Sequence, residues 1–200
     1  MKDASVEVRC PRYMKNTDID AFVREKSEWI EAQVAKQLTL IEQKESFVLE
    51  KGTPMHFMGK YVPLCFSQVH HIDESGFYIS GKDLKKSAER LYRRYAEKII
   101  GEKAAHFAKI MGASPLSVKI NSASTRWGSC SGKNSLNFSW KLIIADEAAI
   151  DYVVVHELAH TFEHNHSAAF WAIVERYIPD YRKRRELLEK AQKIIAAQDW

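Results

Sequence analysis

His156, Glu157 and His160 stand in the order H-E-x-x-H, directly after Val153, Val154 and Val155. Residues four apart on a helix lie one turn above each other, with Cβ atoms about 6 Å apart, so these two imidazoles can converge on one metal ion. Glu157 is offset by about 100° from His156 and can lean on a water held by that ion without being a ligand itself. The chemistry this permits is hydrolysis, with the cation as Lewis acid and Glu157 as general base. Eight histidines in 200 residues would give about 0.03 such matches by chance, and roughly 0.001 once a further histidine is required at the offset of His166. Aligned surface histidines are the weaker reading, because Val153, Val154, Val155, Leu158, Ala159 and Phe162 leave little of this helix to face water. Imidazoles in such company need a hydrogen-bond or metal partner.

A catalytic zinc takes three protein ligands and keeps one position open. Three residues compete for the third place. His166 ranks first, because a chain reversal at Asn165 can swing it back toward the metal. Glu175, on the following helix, ranks second. His164 ranks third, since three ligands stacked along one helix make a poor tetrahedron. Negative charge developing on the substrate oxygen needs a second stabiliser, for which Arg126, His164 and Tyr181 are the candidates. For Arg126 alone, a solvated strand charge is the blander alternative.

The elements that must position these residues follow from periodicity and punctuation. Val6–Cys10 alternates like a strand stopped by Pro11. Thr17 and Asp20 resemble a capping box opening a helix to about Gln43, with Ile19, Phe22, Val23, Trp29, Ile30 and Val34 as its stripe. A hairpin is expected from 55–58 and 61–67 around Gly59-Lys60, and a short strand at 77–80. A long helix spans 82–111 and ends at Gly112. Strands follow at 116–121, 125–130 and 135–140, the last two joined by a turn at 132–134. Asp146 caps the metal-motif helix, expected to run to about His164, and Ser167 caps the next through Tyr177. Pro179 opens the last helix. The expected organisation is an N-terminal α/β region, 1–81, and a catalytic region, 82–200.

Composition narrows the function classes. A net charge of +4 and an apolar share of 46% describe an ordinary globular chain, too weakly basic to be read as a nucleic-acid binder. Cys10, Cys65 and Cys130 are odd in number and form no C-x-x-C pair, which fits a reducing, cytoplasmic setting. The first thirty residues offer no seven-residue apolar stretch for a secretory signal, and no run approaches a membrane span.

Thr125-Arg126-Trp127-Gly128-Ser129-Cys130, then Asn137-Phe138-Ser139-Trp140, then YVVVHELAH and NHSAAFW, resemble in this order the YgjP-like metallopeptidase family, related to the SprT/WLM and small gluzincin-type zinc proteases. The likeness is strongest over 82–181, with weaker echoes in VEVRCPR, Trp29-Ile30 and FMGKYVPL. It implies an α+β, zincin-like fold: a small, mainly antiparallel sheet beside a metal-binding helix. It also implies Zn2+ on His156, His160 and His166, Glu157 as general base, and a cleft strand around Arg126, Trp127, Gly128 and Ser129 where an extended peptide can pair. Family members carry a basic strand ahead of VEVRCPR, where this chain has five residues, so the N-terminal sheet edge is expected to lack a partner.

Other features have simpler readings. Arg182–Arg185 is expected to be the wet face of a helix and His70-His71 a polar loop. Trp29, Trp127, Trp140 and Trp171 are expected as core aromatics, and Cys130 as a buried thiol. The leading expectation is a zinc metallopeptidase acting on a peptide or protein. Its rivals are a metal-dependent nucleoside triphosphate pyrophosphohydrolase, with Arg126 and Lys133 holding phosphates, and a binding module with a closed structural zinc.

Overall fold

The structure, a computed structural model, describes residues 4–200. The chain divides into two compact units, Met1–Phe47 with Ala196–Asp199, and Val48–Ile195 with Trp200.

In the first unit, α1 spans Asn16–Glu25 and α2 spans Ser27–Ser46, where the sequence suggests one helix. Lys26 separates them at φ −96°, ψ 7°, outside the helical well. The suggested capping box does not form. Lys15 occupies the cap position with no side-chain bond, and the Thr17 hydroxyl lies instead against Asp18. Neither helix buries a residue. Trp29 is therefore not a core aromatic; it is 64% exposed. Val6–Cys10 is not a strand, since all five residues are exposed and no neighbouring strand among the described residues offers a ladder.

The second unit carries both sheets. β1 (Pro54–Phe57) and β2 (Lys60–Phe66) form the expected hairpin, in the register Met55↔Val62. Met58 and Gly59 both take positive φ, 49° and 77°, the twist a two-residue hairpin turn demands. β3 (His71–Ile72) and β4 (Phe77–Ile79) complete the order β1-β2-β4-β3. His70-His71 is not simply the polar loop the sequence suggests, because His71 opens β3 and pairs with Tyr78. His71 stacks on Tyr78 at 4.3 Å and reaches Asp73, while His70 bonds Ser80.

α3 (Leu84–Met111) starts with the Asp83 carboxylate accepting from the Lys86 amide and stops at Gly112, φ 71°. β5 (Ser117–Asn121), β6 (Gly128–Cys130) and β7 (Ser135–Ser139) form the second sheet, in the order β5-β7-β6. β6 and β7 are antiparallel, whereas β5 and β7 are parallel. β7 pairs with β6 through the short turn between them and takes β5 on its other edge, so the sheet is mixed rather than mainly antiparallel. A 3-10 turn, Trp140–Ile144, leads into α4 (Glu147–Ala159). α5 (Ala168–Tyr177) and α6 (Tyr181–Ala197) follow. The last helix thus opens two residues after Pro179 rather than on it. The class is α+β, as expected. No helix among the described residues is long and apolar enough to cross a membrane.

The hairpin turn fixes where α4 begins. Met58 N–H donates to the Ile143 carbonyl at 2.8 Å, and Gly59 N–H to that of Ile144 at 3.4 Å. A Cβ on Gly59 would stand 2.8 Å from both Cα and Oδ2 of Asp146, the residue that caps α4 through the Ala148 amide. Gly59→Ala combines positive-φ strain with a backbone clash and should cost about 3 kcal/mol. Gly52→Ala, also at positive φ (92°) but with nothing within 4 Å, should cost about 1 kcal/mol. Urea unfolding of the two variants checks the difference.

Candidate metal centre

α4 is apolar on nearly all sides, burying Ile150, Val153, Val154, Val155 and Leu158, so its position is set by packing. His156 lies in its last turn. The helix ends at Ala159, with His160 as its C-cap, and does not run on to His164. The Thr161 hydroxyl donates to the Leu158 carbonyl at 2.7 Å, and the Phe162 and Glu163 amides both turn back to Ala159. This tight exit reverses the chain before Ser167, whose hydroxyl caps α5 through the Phe170 amide. His166 stands between the two helices.

The donor atoms of His156, His160 and His166 all lie within 4.8 Å of one another, and no other metal-capable group exists among the described residues. Nε2 of His156 and Nε2 of His166 are 3.2 Å apart. Two nitrogens on a tetrahedral zinc, each about 2.05 Å from it, would be about 3.3 Å apart. His160 Nδ1–H donates to the Glu163 carbonyl at 3.0 Å. A carbonyl can only accept, so this bond fixes the tautomer and leaves Nε2 with its lone pair. Phe170, wholly buried, lies within 4.9 Å, centroid to centroid, of all three imidazoles. Trp171 stacks on His166 at 5.8 Å. Burial foremost, then the neighbouring imidazoles, lowers the His156 pKa to about 3. Burial also lowers that of His160, against the opposing Glu163 bond. Neutral, preoriented nitrogens are what a divalent cation requires. The donor set fits one.

Glu157 is 6% exposed. Burial raises its pKa to about 7, and the positive charge of Arg126 works in the opposite direction. Arg126 itself is exposed. Trp127 packs partly buried against the core, and its carbonyl accepts from the Ser139 amide. Gly128 and Ser129 pair with Phe138 and Asn137 on one edge of β6. The other edge has no strand partner among the described residues.

The remaining candidates lie elsewhere. Glu175 is exposed and pairs with Arg182 at 3.8 Å. His164 is exposed and outside the cluster. The Tyr181 ring is buried behind Trp171, 5.1 Å from it. Cys130 is half-buried, and burial raises its thiol pKa. Sequence reasoning missed Phe170 as the floor under the imidazoles. Its place one turn after His166 was the available signal. Tyr152, one turn before His156 and 5.7 Å from it, was legible from the same spacing.

Three imidazoles around one point, with a buried carboxylate beside them and an open strand edge, define a metal-dependent hydrolase architecture. The chain belongs to the YgjP-like metallopeptidase family: the profile described as "YgjP-like, metallopeptidase domain" matches residues 1–191. That membership makes it a metal-dependent hydrolase of the peptidase class. Among solved structures it is similar to the crystal structure of the metallopeptidase zymogen abylysin of Pyrococcus abyssi, with 24% identity and a TM-score of 0.41 over 46% of this chain and 90% of that one. No curated protein matches.

Proposed function

We propose that the protein is a zinc peptidase in which His156, His160 and His166 hold the ion and Glu157 is the general base. Zinc bound there would lower the pKa of a coordinated water to about 7 and polarise the scissile carbonyl. Three imidazole nitrogens suit zinc better than magnesium or calcium. Glu157 takes the proton of the attacking water and returns it to the leaving amine, a role that favours a pKa near the working pH. Arg126 supplies positive charge toward the developing oxyanion; of the three stabiliser candidates it is the one whose charge reaches Glu157. The free edge of β6, Gly128–Cys130, aligns an extended peptide by backbone pairing, with Trp127 preceding the strand and Ser129 at its centre. We assign the catalytic part to 82–200 and, from three free cysteines, the protein to a reducing compartment.

The observation that carries this reading is the convergence of the three donor nitrogens within 4.8 Å. The test is a parallel screen of zinc- and manganese-loaded protein against peptide libraries and nucleoside triphosphates. Peptide cleavage that depends on the loaded ion is expected. Pyrophosphate release from nucleotides with no peptide cleaved would overturn the peptidase assignment.

A further inference from the structure

Gly128 has a backbone that any residue could adopt, since its φ is not among the positive ones, yet a side chain there has nowhere to go. An ideal Cβ at this position would lie 2.6 Å from Cγ of Glu157, 2.7 Å from its Oε1 and 2.9 Å from its Cδ. These are its three nearest neighbours, and all belong to one side chain. Gly101 and Gly132, by contrast, have nothing within 4 Å.

We propose that Gly128 is a positioning residue: the space left by its missing side chain is the seat that holds the Glu157 carboxylate in place. The inference rests on Glu157 being the general base. An ordinary contact begins at 3.4 Å, so an added methyl must be relieved by a shift of about 0.8 Å, a displacement of the size that can cost 10²-fold in rate. The strand resists that shift. β6 is laddered to β7 at Gly128↔Phe138, Ser129↔Asn137 and Cys130↔Leu136, and Leu136 and Phe138 are both fully buried. The carboxylate is the movable partner, so the clash is relieved by displacing the group that does the chemistry. The metal-ligand nitrogens lie outside this contact.

The test is Gly128→Ala. With zinc loaded, kcat should fall about 100-fold while KM and metal stoichiometry stay within twofold, and the cobalt-substituted protein should keep the parent's visible spectrum. A stability cycle reads the same contact without any substrate. Gly128→Ala should lower the melting temperature of the metal-free protein by several degrees, and the same change in a Glu157→Ala background should lower it by little or nothing. An unchanged kcat, a kcat loss that tracks loss of metal, or an equal melting-temperature loss in both backgrounds would overturn the proposal. If Gly128→Ala alone fails to fold, recovery of folding in Gly128→Ala/Glu157→Ala supports it, and continued failure overturns it. An active Glu157→Gln protein would sink the catalytic assignment instead, while the melting-temperature cycle would still report the steric contact.

Discussion

His160→Ala should emerge from purification without its metal and without peptidase activity, while His164→Ala retains both. Loss of a mere outer-shell partner typically costs 10- to 100-fold in metal affinity, so loss of one of three nitrogens should cost more than about 100-fold. His160 also contributes to the fold. Its ring caps the Glu163 carbonyl and packs 4.4 Å from Phe170, so its removal should destabilise the metal-free protein by about 1–2 kcal/mol. His166→Ala provides the contrast. That ring is exposed, so the ion should be lost with little change in metal-free stability. Elemental analysis together with urea unfolding separates these outcomes; a full metal complement in His160→Ala would dismantle the site.

Glu157→Gln should keep the ion and lose about 10³-fold in kcat, within the range general-base catalysis supplies. The same substitution should stabilise the metal-free protein, in a way that depends on pH. The folded pKa, about 7, lies above the ordinary value of 4.5. Below pH 4.5 the carboxyl is protonated in both folded and unfolded chains and imposes no penalty. As pH rises to 7 the unfolded chain ionises first, and the folded state becomes less stable by up to about 3 kcal/mol. Glutamine has no proton to lose. The stability gap between the variant and its parent should therefore be near zero at pH 4.5 and largest above pH 7. His156, whose lowered pKa destabilises the fold as pH falls below 6.5, is common to both proteins and cancels. Urea midpoints of the two metal-free proteins at pH 4.5 and pH 7.5 test this, and an equal gap at both values would refute it.

Much of this was legible from local signals. Gly112, Asp146 and Ser167 mark helix ends and act as their residue types predict, whereas the Asp83 cap, which starts α3 two residues later than expected, was not read. The H-E-x-x-H spacing brought His156 and His160 together, and the chain reversal near Asn165 singled out His166. What local signals could not give was set by tertiary partners. The parallel pairing of β5 with β7 depends on which edge β7 offers, not on either strand's composition. The early end of α4 carries no glycine or proline; it comes from carbonyls satisfied by Thr161 and the following amides. The alternation in Val6–Cys10 reads as a strand, but no strand among the described residues lies beside it. The resemblance implied roles for the strand from Arg126 to Ser129, whereas the fit of Gly128 over Glu157 becomes visible only when β6 lies on α4.

The single phenyl ring of Phe170 beneath all three imidazoles has a broader meaning. It is anchored by ordinary apolar burial and by the start of α5, so the socket is assembled before any ion arrives. Unlike small domains that collapse when stripped by a chelator, this protein should be emptied and refilled while staying folded. Chelation followed by added zinc should then restore the bound ion without a refolding step.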